Sequence, residues 1–317
     1  MTNTYMKKAN NKRRFISFLL AAFGIMSCCS TAYAQEFGSH WITSQEANDS
    51  SQIWFRRSYI TKDKPQQATL AIATTGSIQV FVNERKLSSA LLMPLQDEEN
   101  KEEAISIKFD ITQYLRNDTN TIAIWYAPTS VRPTDKAISV NYYGRNSKGA
   151  YFSYVSDRTW LTRRACGWNK GDVEGYDARL YDKTWKKSKT DLKKWNYAFG
   201  SADKHSFTLT DKTIGSTTLK KHRIFTNTTI HTDSIGTTYS FSHSFTGQVR
   251  LTIRNAKPGY IFHIGNYTYI CNGTTDEQAY RKFTVSTQKD ALVTGEMFRP
   301  SMIQKAEGIE YLPTSRY

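Results

Sequence analysis

The stretch ATLAIATTGSIQVFVN, residues 68–83, repeats its apolar side chains with a period of two on both sides of the turn-forming pair Thr75-Gly76. This period is typical of half-buried β-strands, and the β-branched and aromatic residues in both runs favour the same conformation. Three further runs share the pattern: IWFRRSYI (53–60), ISIKFDI (105–111) and TIAIWYA (121–127). Because such sheets must stack to hide their apolar faces, the sequence predicts an antiparallel β-sandwich.

A second group of strands follows residues 200–221, a stretch rich in Ser, Thr and Lys that we interpret as a linker. The predicted strands are TYSFSHSF (238–245), QVRLTIR (248–254), YIFHIG (260–265) and KFTV (282–285). The fold class is therefore all-β, with two sandwich domains in tandem over residues 35–205 and 206–317. We expect these two sandwiches to be separate units.

The first 34 residues have the organisation of a secretory signal peptide. Five basic residues precede the apolar run FISFLLAAFGIM (15–26), and a small-residue stretch ends in AYA (32–34). This pattern predicts cleavage before Gln35. The run IMSC (25–28) is an imperfect lipoprotein box, and processing there would instead leave an acylated Cys28 as a membrane anchor. Both routes predict an exported protein of the periplasm or cell surface.

The charge balance is basic. The net charge is +15 for the whole chain, and removal of the signal peptide leaves 38 Lys+Arg against 28 Asp+Glu, or +10. Such a surface favours acidic partners, for example uronate-bearing glycans or anionic lipids, although a simply solvated surface is the alternative. Much of the charge lies in KTWKKSKTDLKKW (183–195), which at helical spacing would give a polar face anchored by Trp185 and Trp195. Nucleic acid is not an expected partner because no recognised binding module is present.

Several cysteines and tryptophans are candidates for the core. Cys166 and Cys271 lie in different predicted domains and are expected to be buried free thiols, which pack as small hydrophobes. Trp41, Trp54 and Trp125 lie in predicted strands, where large aromatic side chains normally build a sandwich core. These assignments predict structural rather than ligand-binding roles.

Local motifs of common enzymes and metal sites are absent from the sequence. It contains no H-E-x-x-H or C-x-x-C pattern, and His243 and His263 lie on separate predicted strands. Nucleophile-elbow, phosphate-loop and dinucleotide patterns are also missing. The sequence therefore predicts no metal centre and supports none of these enzyme classes.

The segment GDVEGYDARLYDKTW, residues 171–185, resembles the GE-x-YDAR segment in the N-terminal β-domains of bacterial α-L-rhamnosidases. Further similar runs occur in the expected order: WI (41–42), WFRRSY (54–59), VFVNE (80–84), FDITQYLRNDTNTIAI (109–124), YSFSHSFTGQVRL (239–251) and GIEYL (308–312). The resemblance implies a galactose-binding-like jelly roll followed by a concanavalin-like sandwich. It also implies accessory domains without the helical barrel that carries the family's catalytic carboxylates.

One residue departs from the family pattern in a way that affects local structure. The family usually has Gly after the Asn of the VFVN run, whereas this chain has Glu84. Positive φ is costly for a residue with a Cβ atom, so we expect a longer hairpin or another turn type there. The strand pair itself is expected to remain.

The motif also contains the candidate sugar-binding residues. Carboxylates accept hydrogen bonds from sugar hydroxyls, and the ring faces of Trp or Tyr stack on pyranose rings. The candidates are Trp160, Trp168, Asp172, Glu174, Tyr176, Asp177 and Arg179. In the competing structural interpretation, Asp177 and Arg179 order a loop by ion pairing while Tyr176 is buried beneath it. No catalytic pair of carboxylates is expected among these residues.

A calcium ion is the one cofactor that the resemblance raises, because some similar modules bind terminal rhamnose with its help. Asp172, Glu174 and Asp177 could supply oxygen ligands. However, their spacing is not that of a helix-loop-helix calcium loop, and Ala178 offers no ligand atom. We therefore predict no cofactor, with calcium as the alternative.

Three functions follow from these observations. The first is an exported, non-catalytic carbohydrate-binding or scaffold protein that holds a rhamnose-containing or acidic glycan, or assists a separate glycosidase chain. The alternative is a glycoside hydrolase, as a shortened or split α-L-rhamnosidase. The third is a protein-interaction module that uses its basic surface to hold an acidic partner.

Overall fold

The computed structural model describes residues 40–45, 48, 50–91, 103–129, 136–200, 208–211 and 219–313. Within these ranges the chain forms strands and short 3₁₀ helices but no α-helix, and the all-β prediction is confirmed. No helix among these residues has the length and hydropathy needed to span a bilayer. The signal peptide and the predicted boundary between residues 205 and 206 lie outside the described residues.

The strands of the first half are β1 (Trp41–Thr43), β2 (Ser51–Thr61), β3 (Gln67–Thr74), β4 (Ser77–Val82), β5 (Arg85–Lys86), β6 (Glu103–Asp110), β7 (Asp118–Ala127), β8 (Ile138–Arg145), β9 (Tyr151–Val155), β10 (Leu161–Lys170), β11 (Val173–Asp177), β12 (Asn196–Tyr197), β13 (Phe199–Gly200) and β14 (Thr208–Asp211). The 3₁₀ helices described here are Thr112–Tyr114, Ala178–Leu180 and Leu192–Lys194.

The strands of the second half are β15 (Leu219–Thr226), β16 (Thr229–Thr232), β17 (Thr237–Ile253), β18 (Ile261–Ile264), β19 (Tyr267–Ile270), β20 (Glu277–Ala279), β21 (Ser286–Thr294) and β22 (Ile303–Pro313). A 3₁₀ helix, Pro300–Met302, precedes β22.

The first half is a sandwich of two sheets. One sheet has the order β13-β1-β8-β3-β6-β14, with β9 added beside β8, and the facing sheet contains β10, β2, β7 and β4. Inward-facing side chains such as Ile53 and Phe55 from β2 meet Leu70 and Ile72 from β3 and Val140 from β8. All five are buried. The period-two pattern of the sequence therefore identifies this core correctly.

The other face of strand β2 is buried as well, against a second core. Trp54 stacks on Trp185 with ring centroids 5.2 Å apart and an angle of 7° between the planes. Trp125 and Trp195 join this cluster, which continues into side chains of the second half. The basic run 183–195 forms turns and the short helix Leu192–Lys194, not a long helix. The predicted anchoring by its two tryptophans is confirmed.

The second half is built around the long strand β17, which pairs with β22 on one side and β21 on the other. The runs 238–245 and 248–254, predicted as two strands, are parts of this one strand. The prediction of a strand over 282–285 is wrong, because these residues are irregular and β21 begins at Ser286.

The two halves are not separate units, contrary to the expectation from sequence. Strand β11 pairs in parallel with β19, so one of the two sheets continues from the first half into the second. In the predicted linker over residues 200–221, Thr208–Asp211 forms β14 and pairs in parallel with β6 of the first sandwich. Backbone hydrogen bonding therefore joins the halves.

A longer hairpin or another turn type was expected at Glu84 to avoid positive φ, but the hairpin is short and Glu84 adopts positive φ. The strand pair is present as expected. Val82 pairs with Arg85, which leaves a two-residue turn with φ of +50° at Asn83 and +69° at Glu84. The Asn83 side chain fixes this geometry, because its Oδ1 accepts from the Thr121 N–H at 3.0 Å and its Nδ2 donates to Asn120 Oδ1 at 2.8 Å. Glu84 is thus forced into the left-handed region.

Glu84→Gly is expected to raise the free energy of unfolding. The left-handed conformation costs a residue with a Cβ atom roughly 1–2 kcal/mol, and glycine avoids this cost. Part of the gain is lost because glycine has more conformational freedom in the unfolded chain. Urea denaturation should show a gain of about 0.5–1 kcal/mol. Glu84→Ala is the control, because it removes the carboxylate but keeps Cβ. Equal stability of the Gly and Ala variants would contradict a strained turn.

Candidate functional site

The motif over residues 171–179 forms the β10–β11 hairpin and the loop that follows it. Its tip is a two-residue turn between Lys170 and Val173, with φ of +59° at Gly171, a conformation that glycine adopts readily. The backbone carbonyl of Asp172 accepts from Asn266 Nδ2 at 3.0 Å and from Arg281 Nη1 at 3.4 Å. The hairpin tip is therefore attached to the second half, while the Asp172 residue as a whole is exposed.

Glu174 is the central residue of this junction. Its carboxylate is fully buried and accepts from three successive backbone N–H groups of the second half: Lys282 at 2.5 Å, Phe283 at 3.1 Å and Thr284 at 2.8 Å. The Thr284 hydroxyl donates at 2.7 Å to the same carboxylate. One side chain of the first half thus fixes a backbone segment more than a hundred residues away in sequence.

This arrangement explains why residues 282–285 are not a strand. Successive N–H groups of a strand point in opposite directions, whereas here three of them converge on one carboxylate. The β-rich composition of KFTV predicts the local preference correctly, but the long-range hydrogen bonds override it.

The electrostatics of Glu174 combine two opposing effects. Burial raises the pKa of its carboxyl above the ordinary value. Hydrogen bonds from Lys282, Thr284 and Phe283, together with the positive charge of Arg281, act in the opposite direction. The groups that hydrogen-bond this carboxylate are donors, so an acceptor-only anion matches them better than an amide would.

Gly175 and Tyr176 complete the packing of strand β11. A Cβ atom on Gly175 would lie 1.9 Å from carbon atoms of the Trp168 ring, so only glycine lets the half-buried indole lie against the strand. Tyr176 is buried and stacks on Tyr269 across the parallel pair, with centroids 5.8 Å apart and an interplanar angle of 4°. The motif tyrosine therefore belongs to the contact between the halves.

Cys166 lies beside Tyr176, and Cys271 follows strand β19. Both are free and buried, as predicted from the sequence. Burial raises the pKa of each thiol to about 12, so neither is a reactive thiolate at neutral pH.

Asp177 and Arg179 form the ion pair of the structural interpretation. Arg179 donates from Nε at 2.9 Å and from Nη2 at 2.8 Å to the two carboxylate oxygens of Asp177. Asp177 also caps the helix Ala178–Leu180 by accepting from the Arg179 backbone N–H. The carboxylate is buried, whereas 48% of the arginine side chain stays exposed to solvent.

The remaining candidates lie in different environments. Trp160 is fully buried in the core of the first sandwich, apart from the motif. Trp168 is half-buried over Gly175 and lies at the junction with Glu174 and Tyr176. The structure thus brings most of the predicted residues together at the joint, by which we mean the contact between the two halves around Glu174. Of these residues, only Arg179 reaches an adjoining cleft.

These residues do not fit a calcium ion. The Glu174 oxygens are taken up by N–H and O–H donors, and those of Asp177 by Arg179. Asp172 is the remaining predicted ligand, and one carboxylate does not supply the several oxygens that a calcium ion takes. Within the described ranges, no group of three or more His, Cys, Asp or Glu side chains is placed to hold a metal.

A cleft of about 340 Å³ opens beside the motif. It is lined by Arg163, Arg179, Leu180, Tyr181, Asp182, Thr184, Asp191 and Lys194. Apart from Arg179, sequence reasoning did not single out these residues as ligand-binding, although the segment GDVEGYDARLYDKTW includes four of them beyond Arg179. The sequence feature that could have identified these cleft residues is the run of charged, hydroxyl and aromatic side chains immediately after the YDAR residues.

Two carboxylates line this cleft, and both have structural partners. Asp182 accepts from Arg163 Nη1 at 3.0 Å and from the Thr184 N–H at 2.8 Å. Burial acts to raise the pKa of Asp182, but the hydrogen bonds from Thr184 and Arg163 lower it overall. Asp191 caps the helix Leu192–Lys194 by accepting from the Lys193 N–H.

Glu174→Gln should destabilise the fold, because the new amide group would place its own N–H atoms against backbone donors. We expect the free energy of unfolding to fall by about 3 kcal/mol in urea denaturation, the scale for leaving buried partners unpaired. Exposed Glu296 provides the control, since Glu296→Gln makes the same chemical change at the surface. Equal stability of both variants would show that the Glu174 hydrogen bonds contribute nothing.

Comparisons with known proteins identify relatives of this chain. Residues 63–216 match the family described as the α-L-rhamnosidase N-terminal domain, while a comparison with curated proteins gives no match. The α-L-rhamnosidase of Dictyoglumus thermophilum superposes with a TM-score of 0.75 at 17% identity, over 88% of this chain and 36% of the enzyme. That of Aspergillus terreus gives 0.74 at 16% identity, over 87% and 36%.

The α-L-rhamnosidase of Streptomyces avermitilis, solved with L-rhamnose, superposes with a TM-score of 0.73 at 14% identity. The match covers 84% of this chain and 29% of that enzyme. At these identities the superpositions show a shared fold, and this chain spans about a third of the length of these enzymes. The resemblance drawn from the sequence is therefore confirmed: this chain is similar to the N-terminal β-domains of α-L-rhamnosidases.

Proposed function

We propose that the protein is an exported, non-catalytic carbohydrate-binding or scaffold protein. The observation that carries this proposal is the cleft beside the motif, which places hydrogen-bonding side chains of both signs next to an aromatic ring. Its volume of about 340 Å³ falls in the range of small-ligand sites. The similarity to rhamnosidase accessory domains supports the same role.

The chemistry of the cleft matches that of a sugar. Arg179 and Lys194 donate hydrogen bonds, Asp182 and Asp191 accept them, and a sugar ring offers hydroxyl groups that do both. Half-buried Tyr181 and exposed Leu180 provide the apolar surface that the C–H face of a pyranose needs. Rhamnose-containing and acidic glycans are the proposed ligand classes.

A hydrolytic role has weaker support. A glycosidase needs one carboxylic acid with a raised pKa to protonate the leaving group, whereas the pKa of Asp182 is lowered and Asp191 is engaged as a helix cap. Glu174 accepts from backbone N–H groups of the second half, and Asp177 is paired with Arg179. We therefore propose that any hydrolysis is carried out by a separate glycosidase chain, which this protein would assist outside the inner membrane.

Binding on a glycan array tests the proposal. We expect a signal for rhamnose-containing or uronate glycans that falls about tenfold in the double variant Leu180→Ala, Lys194→Gln, through lost apolar contact and one lost charged hydrogen bond. The matched control is Leu192→Ala, Lys193→Gln, because these neighbours are exposed but do not line the cleft.

Two results would contradict the proposal. One is the absence of any binding signal for the wild-type protein on rhamnose-containing, uronate and host glycans. The other is release of the aglycone from an aryl α-L-rhamnoside by the purified chain above a heat-inactivated control.

A further inference from the structure

Two lysines from different segments lie beside Phe81. Lys86 on β5 is the cross-strand partner of Phe81 on β4. The ammonium group of Lys186, from the basic run, lies 4.6 Å from the centroid of the same ring. Lys86 therefore lies on the hairpin that Glu84 closes, and Lys186 approaches this hairpin from the basic run.

A third lysine comes from the segment fixed by Glu174. The backbone carbonyl of Lys282 accepts from Gln79 Nε2 at 3.0 Å, and Gln79 lies on the same face of β4 as Phe81. The Lys282 ammonium lies 3.1 Å from the centroid of the Tyr280 ring and 5.1 Å from that of Tyr176. Because its backbone N–H is held by Glu174, this lysine is positioned before any ligand arrives.

The positive charge of this cluster is poorly compensated. The pKa of Lys86 is lowered to about 8, first by desolvation and then by repulsion from Lys282 and Lys186. Glu84 is the acidic residue that acts on Lys186, and its carboxylate is 3.9 Å from Lys187. The carboxylate of Glu174, which attracts Lys282, is already surrounded by hydrogen-bond donors. An anion placed among the three lysines would relieve the repulsion.

We propose that Lys86, Lys186 and Lys282 bind the carboxylate of an acidic glycan, so that the protein recognises uronate-bearing chains. This inference rests on the proposed carbohydrate-binding function and names its ligand class. The three ammonium groups supply positive charge for one carboxylate. The half-buried ring of Tyr280, beside the Lys282 ammonium, offers apolar surface to the sugar that carries this carboxylate, which a small inorganic anion would not need.

Calorimetric titration of the full mature chain with trigalacturonate, its carboxyl-reduced neutral counterpart and inorganic phosphate tests the proposal. We expect trigalacturonate to bind most tightly. Lys86→Gln should weaken its binding about tenfold, the loss of one charge-assisted hydrogen bond. Glu84→Gln, which removes a competing carboxylate, should strengthen it about twofold. Lys289→Gln on β21 makes the same charge change at another exposed lysine and should have little effect.

The ionisation of Lys86 gives a second readout. A bound carboxylate raises the pKa of Lys86, so binding at pH 8 should take up protons, measurable in buffers of different ionisation enthalpy. Affinity should fall as the pH rises above about 8, because the free amine loses its charge. Lys186, Lys282 and Glu84 face the same cluster, and burial also lowers the pKa of Lys186 and of Lys282. Lys86→Gln should therefore remove only the part of the proton uptake that Lys86 contributes.

Two patterns of results would overturn the lysine site. If the carboxyl-reduced sugar binds as tightly as trigalacturonate, and the cleft variants weaken both, the carbohydrate-binding function stands and the uronate site falls. If phosphate binds as tightly as trigalacturonate, the cluster is a general anion site and the assignment to a glycan is wrong. Failure of every glycan to bind any form of the protein would reject both proposals.

Discussion

A single buried carboxylate, that of Glu174, is the interaction on which the rest of the structure depends. It comes from the first half of the chain and accepts hydrogen bonds from three successive backbone N–H groups of the second half. The cost of burying its charge is offset by these donors and by Arg281. Because Glu174 lies on β11, its hydrogen bonds hold this strand beside β19, and one sheet and one aromatic core continue through both halves.

The sequence predicts the local structure well and the joint poorly. Period-two patterns identify the strands of the first sandwich, because each strand records in its own residues which face is buried. The joint depends instead on partners far apart in sequence, such as Glu174 and residues 282–284, and no local pattern encodes their distance. Glu84 is a similar case, since the hydrogen bonds of Asn83 impose a turn that the residue itself disfavours.

The same limit applies to the candidate site. Acidic and aromatic residues in a loop are suited both to binding a sugar and to binding backbone and ring partners within the fold, so sequence alone leaves both interpretations open. The structure commits Glu174, Tyr176 and Asp177 to internal partners. These three residues therefore contribute to the proposed function by holding other residues in place. They fix the loop that lines the cleft and the Lys282 segment, and they thereby preorganise the surfaces proposed to bind an acidic glycan.

Backbone hydrogen exchange of Lys282, Phe283 and Thr284 in the wild-type protein tests the central claim most directly. These amides lie outside any strand, yet the account predicts that they exchange as slowly as the paired amides of β11 and β19, through unfolding of the whole joint. Exchange at the rate of exposed loop amides would contradict it, because the N–H groups would then not be held by Glu174.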